Sequence, residues 1–474
     1  MRIEELIKLI NRRRIFGITA NSKLAGKNFI FVAVKGARDD GGKFIAEAVK
    51  RGARFIVCEP GVKIRRLPGT EFVEVKDTRA ALAELAACFY RYPSQKLKVV
   101  GITGTNGKTT ITYLLEALLK EAGKRPGVIG TINYRFQRKS IPAKNTTPGP
   151  VEIQSLLAEM VKAGVDYAVM EVSSHALDQQ RVGRINFHSA IFTNLTQDHL
   201  DYHKTLKNYF SAKAKLFKAV GPGSFAVINN DDRYGARLKR ATRARVITYG
   251  IKHKADVTAA NIKFDFRHTE FDLRLGNKKE TFRVRLIGRH NIYNLLAAAS
   301  WGIKEGIGLK TIKAAFEKFQ VVPGRLEQFH SRKGFSVFVD YAHTPDALKN
   351  VLDTLRELAP RRIITLFGCG GDRDRLKRPK MGKVVAARSD FAVITSDNPR
   401  SEDPADIAGQ IKKGIKGTHY CVVLDRRAAI KRSLSMARPG DIVLLAGKGH
   451  EGCQVLKEKV VDFDDRKEVR LCLR

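Results

Sequence analysis

The sequence predicts an α/β protein of three domains, a central parallel sheet flanked by an N-terminal and a C-terminal α/β domain. Three observations carry that reading. The 474 residues are enough for roughly three hydrophobic cores at about 150 residues each. Short apolar runs alternate with helical periodicity along the chain, the pattern of βα units. One such run passes through a Gly-rich loop directly into a helix.

In chain order, Asn28-Phe-Ile-Phe-Val-Ala-Val predicts a strand, and Phe44 to Cys58 predicts a helix followed by a strand. An Ala-rich helix runs from about Thr78 and ends near Tyr92-Pro93-Ser94, which closes a first domain over residues 1–96. A strand begins at Lys98. Tyr167-Ala-Val-Met-Glu-Val, Ser189-Ala-Ile-Phe-Thr-Asn and Phe225-Ala-Val-Ile-Asn are further strands, with Glu171, Asn194 and Asn229 at their carboxyl ends, where ligands of parallel sheets gather. Helices at about Asn291 to Glu305 and Leu309 to Phe319 lead to the break Val322-Pro-Gly-Arg, which closes a second domain over 97–321. Residues 322–474 form a third, Rossmann-like domain with strands at Ser336 to Asp340, Arg362 to Gly368, Phe391 to Ser396 and Asp441 to Gly447.

Composition is that of a globular protein, with 43% hydrophobic and 28% charged residues. No apolar run reaches membrane-spanning length, and the opening Met1-Arg-Ile-Glu-Glu lacks the basic flank and apolar core of a signal peptide, so the expected compartment is the cytoplasm, with no membrane partner. The six cysteines have no C-x-x-C spacing and read as free thiols. The 87 Lys and Arg exceed the 48 Asp and Glu by 39, a charge that attracts polyanions. It is spread along the chain without a basic tail or aromatic-basic repeat, which favours small anionic substrates over a specific nucleic acid. No segment reads as a protein-docking module, so a monomer is expected.

The sharpest motif is strand Val99-Val-Gly-Ile-Thr, loop Gly104-Thr105-Asn106-Gly107-Lys108-Thr109-Thr110 and a helix over Ile111 to Ala122. Glycines let backbone N–H groups converge on phosphate oxygens at a positive helix end, Lys108 suits β/γ-phosphates, and the Thr109 hydroxyl suits Mg²⁺. The strict G-x-x-x-x-G-K-[ST] pattern is broken at its first position, Ile102. The central sheet is therefore of the P-loop, ATP-binding type, with ATP and Mg²⁺ as cofactors.

With Phe89-Tyr-Arg-Tyr-Pro-Ser just before this loop, the chain resembles the Mur ligase family of ATP-dependent amide-bond-forming enzymes. The family's motifs follow in order over nearly the whole length. They are Asn145-Thr-Thr-Pro, Met170-Glu-Val-Ser-Ser-His-Ala-Leu, Thr193-Asn-Leu-Thr-Gln-Asp-His-Leu-Asp-Tyr-His, Gly288-Arg-His-Asn-Ile-Tyr-Asn, Pro323-Gly-Arg-Leu-Glu, Asp340-Tyr-Ala-His-Thr-Pro-Asp, Gly370-Gly-Asp-Arg-Asp, Asp397-Asn-Pro-Arg and Gly447-Lys-Gly-His-Glu.

The resemblance implies phosphorylation of a D-glutamyl side-chain carboxylate on a UDP-muramyl dipeptide, followed by displacement of phosphate by an amine. Two anions must meet, so metal and cations have to offset their repulsion. It implies Thr109, Glu171, His199 and a CO₂-carbamylated Lys213 as metal ligands, and Lys108, Lys213, His199 and Arg325 as catalytic groups. Carbamylation needs a neutral amine, so Lys213 must lose its usual basicity by burial or by nearby positive charge, for which Lys215 and the metals are the expected sources. For ATP it implies His290, Asn291, Asn294, Arg325 and Asp340. For the dipeptide it implies Asn145, Thr146, Thr147, Ser173, Gln179 and Arg181, with Ser22 toward the nucleotide end. There Asn21-Ser22-Lys23 replaces the family's Asp-Ser-Arg, losing an acid and a bidentate guanidinium. For the incoming amino acid it implies Arg373, Asp397, Asn398, Arg400, Gly447 and Glu451. Arg400 matches the distal carboxylate of meso-diaminopimelate and Glu451 its distal ammonium. The alternatives are L-lysine as the added amino acid, a folate-type ligase of the same family, and a non-catalytic polyanion-binding protein with a relic loop.

Overall fold

The computed structural model describes residues 1–12, 14–36, 40–62, 69–417 and 419–473. Its strands form three sheets and a small C-terminal hairpin. The first sheet is parallel throughout, in the order Gly17–Thr19, Phe29–Val32, Ala53–Cys58, Glu71–Glu74. The expected strand, helix and strand appear as Phe29–Val32, Ile45–Lys50 and Ala53–Cys58.

The second sheet has eleven strands. Its centre is parallel, with Arg245–Gly250, Phe225–Asn229, Phe187–Phe192, Lys98–Thr103, Tyr167–Glu171 and Pro126–Ile129 side by side. The parallel centre is as expected, and both ends of the sheet add antiparallel strands. Val257–Phe264, Thr269–Leu275 and Lys278–Val284 pair antiparallel with one another, as do Pro126–Ile129, Asn133–Phe136 and Lys139–Pro142. The reason is local, since connections this short permit only hairpins whereas parallel neighbours need a crossover.

Alternation along the central strand sends Val99 into the core on one face and Val100 and Ile102 into the core on the other. Helices Pro150–Lys162 and Leu206–Ala219 cover the first face. Lys108–Glu121, Arg289–Lys304 and Leu309–Lys318 cover the second. A sheet covered twice needs strands apolar on both sides, which is what these runs supply. The single tryptophan, Trp301, is fully buried and donates its indole N–H to Ser189 Oγ at 2.9 Å, fixing a covering helix to the sheet.

The third sheet runs Glu327–His330, Ser336–Asp340, Ile442–Ala446, Ile363–Phe367, Phe391–Ile394, Tyr420–Val422, parallel except for its first pair. In the second sheet the strand order reverses around Lys98–Thr103, so a crevice opens beyond its carboxyl end. The third sheet's carboxyl-end loops reach that crevice. Asn106 Nδ2 donates to Asp346 Oδ2 at 3.1 Å, and Lys380 Nζ to Gln197 Oε1 at 3.0 Å. No helix among the described residues is long and apolar enough to cross a membrane.

Candidate active site

The Gly-rich loop joins strand Lys98–Thr103 to helix Lys108–Glu121. The helix starts at Lys108, three residues before the expected Ile111, so its unpaired first-turn N–H groups belong to the loop itself. Glycine is required twice. A Cβ on Gly104 would lie 1.8 Å from Thr193 Oγ1, and Gly107 has φ +89° with Asn294 Oδ1 2.3 Å from where a Cβ would be. The neighbouring strand end cradles the loop. Thr105 N and Asn106 N donate to the backbone oxygen and Oδ1 of Asn194 at 2.8 and 3.0 Å. Lys108 Nζ donates to Gly104 O and Thr105 O, each at 2.9 Å, and its burial lowers its basicity. Thr110 is buried behind it.

Glu171, the last residue of its strand, is 1% exposed. Its carboxylate accepts from Thr109 Oγ1 at 3.1 Å, Thr131 N at 2.8 Å and Thr131 Oγ1 at 2.9 Å. Lys213, on helix Leu206–Ala219, is also 1% exposed. It donates to Gly104 O at 2.8 Å and lies 4.6 Å above the Tyr209 ring, whose hydroxyl is 3.2 Å from Thr105 Oγ1. Burial, then the Lys108 cation, pushes the Lys213 amine well below the usual lysine range. The expected contribution of Lys215 is corrected: that residue is half exposed and reaches Asp178 at 2.9 Å, because it lies two positions along the helix and faces away.

His199 caps the short helix Leu200–His203 with φ +54°, its ring 4.8 Å from His175 and its Nε2 3.4 Å from Asp198 Oδ2. Burial holds its imidazole below the usual range; the Asp198 carboxylate opposes this, and His175, Lys213 and Lys108 add to it. A neutral imidazole is the metal-binding form. Among the described residues no group of three or more His, Cys, Asp or Glu converges. The Thr109 and Glu171 oxygens, 3.1 Å apart, are hard donors of the kind a divalent cation takes.

Beside the loop is a cavity of about 400 Å³, with Gly107, His290, Asn294, Asp346 and Asn350 in its wall. Burial, then Arg325, lowers His290 to about 4. Asn291 Nδ2 donates to Ile287 O at 2.9 Å and Asn294 Nδ2 to Asn291 Oδ1 at 3.1 Å, leaving Asn294 Oδ1 toward Gly107. Arg325 crosses from the third sheet's side, donating Nη2 to Thr109 Oγ1 at 3.3 Å and stacking 4.7 Å over Tyr341. Its Nε is buried and has no partner among the described residues, as a group awaiting an anion would be. Asp340 accepts from Leu326 N and Ala342 N, each at 2.7 Å, so its carboxylate braces the turn that carries Arg325.

The Asn145–Thr147 loop closes over Glu171. Asn145 O accepts from Tyr134 Oη at 2.7 Å, and the Thr146 and Thr131 hydroxyls are 3.1 Å apart. Thr147 Oγ1 donates to Glu171 O at 2.8 Å and accepts from Ser173 N at 3.0 Å. Ser173 Oγ accepts from Ala176 N at 3.2 Å, capping a short helix. Gln179 Oε1 accepts twice from Arg181, which also donates to Thr147 O at 3.0 Å. Ser22 lies apart from this cluster, donating to Glu47 Oε2 at 2.6 Å.

At the carboxyl ends of the third sheet, Asp397, Asn398 and Arg400 follow strand Phe391–Ile394, and Gly447 and Glu451 follow Ile442–Ala446. Arg400 has φ +53° and donates Nη1 to Gly371 O at 2.8 Å, while Arg373 is exposed nearby. Gly447 places its backbone directly against the Asp397 carboxylate. Sequence reasoning missed Thr131, Asp198 and Asp346. The strand-end polar signal marked Asn194, and the motifs containing Asp198 and Asp346 were in view; nothing marked Thr131.

A phosphate-cradling loop, a buried carboxylate and lysine beside it, and an arginine delivered from the third sheet's side define an ATP-using α/β ligase. Family models agree over three stretches: the Mur ligase family catalytic domain over residues 14–90, the Mur ligase middle domain over 102–302, and the Mur ligase glutamate ligase domain over 324–449. The chain is 45% identical to a UDP-N-acetylmuramoyl-L-alanyl-D-glutamate–2,6-diaminopimelate ligase of Clostridium botulinum, covering 97% of this chain and 95% of that one. It is 43% identical to the protein of the same name in Clostridium tetani, covering 99% of each. A solved structure of a ligase of that name shares 32% identity over 97% of this chain and 94% of the other, with a TM-score of 0.68. The chain belongs to the Mur ligase family, ATP-dependent enzymes that form amide bonds.

Proposed function

We propose that this ligase joins meso-diaminopimelate to the D-glutamyl side-chain carboxylate of UDP-N-acetylmuramoyl-L-alanyl-D-glutamate, a cytoplasmic step of peptidoglycan synthesis. The observation that carries this reading is Arg400, anchored on Gly371 O by one edge of its guanidinium and facing the pocket of Asp397, Asn398 and Glu451. A planar guanidinium is the group that tells a distal carboxylate from its absence.

In this reading Lys108 leaves its two carbonyl partners to bind the β/γ-phosphates, and Arg325 uses its unpaired Nε on the transferred phosphate. Thr109, Glu171, His199 and a carbamylated Lys213 would hold Mg²⁺, which supplies charge neutralisation between the two anions. Gln179, Arg181 and the Asn145–Thr147 loop hold the dipeptide so that its carboxylate attacks the γ-phosphorus in line, breaking the bond to ADP. The free amine then attacks the acyl-phosphate carbon, losing a proton and expelling phosphate. Ser22 stands on the domain that would receive the nucleotide end. In this reading the enzyme works as a monomer on small molecules.

The test is phosphate release from ATP with Mg²⁺ and the UDP-muramyl dipeptide, with meso-diaminopimelate or L-lysine at equal concentration. Release with diaminopimelate and its loss in Arg400→Ala is expected. Release with lysine alone would overturn the assignment of Arg400, and salt-dependent polyanion binding without turnover would overturn the enzymatic reading.

A further inference from the structure

Gly447-Lys-Gly-His-Glu carries a lysine to which neither the motif reading nor the mechanism gives a task. Lys448 is 0% exposed, on a turn that also carries Glu451. A buried ammonium has to be paired, and its three donors limit what it can organise. Nζ donates to Asn398 Oδ1 at 3.1 Å and to Glu451 Oε2 at 3.0 Å. Asn398 completes the triangle by donating Nδ2 to Glu451 Oε2 at 2.8 Å, and its Oδ1 also accepts from Val455 N at 2.9 Å. The triangle is therefore asymmetric at the carboxylate. Glu451 Oε2 takes two hydrogen bonds, whereas Oε1 takes none among the described residues, and the side chain keeps 27% of its surface exposed.

From this geometry we infer that Lys448 is a positioning residue for amino-acid selection, locking Glu451 and Asn398 so that one carboxylate oxygen is presented to the distal ammonium of the incoming diamino acid. The inference rests on the proposed function and deepens it. Lys448 also sets the charge of the pocket. It offsets the Glu451 charge, so that carboxylate offers the zwitterion an acceptor oxygen without adding net negative charge beside Asp397 and the Arg400 guanidinium. Without Lys448, Glu451 keeps only the Asn398 hydrogen bond and is uncompensated, a condition that penalises diaminopimelate, with its extra carboxylate, more than lysine.

The experiment compares the full-length wild-type chain with Lys448→Met, Glu451→Gln and the double variant, reading phosphate release against each substrate in turn. Lys448→Met is expected to raise KM for meso-diaminopimelate by roughly tenfold or more, to lower the preference for diaminopimelate over lysine, and to leave KM for ATP and the dipeptide within about twofold. Because Lys448 acts through Glu451, the double variant should be no worse than Glu451→Gln alone. Lys448→Gln, which keeps a donor, should recover part of the loss. An unchanged KM and preference in folded Lys448→Met, or additive losses in the double variant, would overturn the inference. Failure of both Lys448 variants to fold would assign the lysine to stability and overturn it as well. A wild-type chain that turns over neither amino acid would bring down the proposed function itself, and this inference with it.

Discussion

Lys213 and Lys448 are both buried lysines at the carboxyl ends of parallel sheets, and their surroundings differ in one respect. Lys213 has a backbone carbonyl and an aromatic face for company, with Lys108 near enough to repel it and the Asp198 carboxylate opposing this without touching it. Lys448 has a carboxylate at 3.0 Å. Burial without a counter-ion pushes an amine toward its neutral, nucleophilic form, whereas burial with one makes a fixed ion pair. The side of the cleft around the loop is thus furnished for chemistry and the far side for recognition.

The sharpest way to break this contrast is Lys213→Met, expected to cut kcat by about a hundredfold or more, the scale seen when a group aimed at developing charge is lost. Activity of the wild type should also fall when CO₂ is stripped from the buffer. Retention of activity in Lys213→Met would return that lysine to an ordinary structural role. Next in size, Arg400→Ala removes charge-assisted hydrogen bonds worth about 1.5–3 kcal/mol, a roughly 10- to 150-fold weakening for diaminopimelate, read as KM with lysine as control.

Acid should act on the loop side through a buried histidine. His203, 5% exposed and 2.9 Å from Ser174 Oγ, is lowered to about 4 by burial, with His175 adding to it. A base depressed in the folded state binds its proton in the unfolded chain first, so stability is fully present above the unfolded value near 6.5 and is lost as pH falls toward 4. His203→Asn should flatten that slope by about one proton in denaturation measured across this window. The smallest effect is expected away from both lysines. Trp301→Phe strands Ser189 Oγ and should cost about 1–2 kcal/mol in denaturant melts without changing the preference between amino acids.

Where pattern and packing agree, the sequence was a sufficient guide. Phe225–Asn229 and Ser336–Asp340 lie at the residues their apolar runs marked, because buried parallel strands leave few alternatives. The antiparallel ribbon was legible and went unread. Phe271, Leu273, Phe282 and Val284 alternate with polar residues around Gly276-Asn277, a hairpin signature. Lys213 is different in kind. Its place on an amphipathic helix says solvent, and only the surrounding motif said otherwise; the 1% exposure comes from tertiary packing against the loop. Lys448 had half a local signal in Glu451, three residues on; its burial and its second partner depend on how the turn after Ile442–Ala446 folds back against Asn398.

The Thr109 hydroxyl has a single proton, which it gives to Glu171, and a lone pair that receives Arg325 from the other side of the cleft. One oxygen atom thereby splices two separately built bodies. Any ligand that claims this oxygen has to displace or share both contacts, so filling the loop acts directly on one of the links across the cleft.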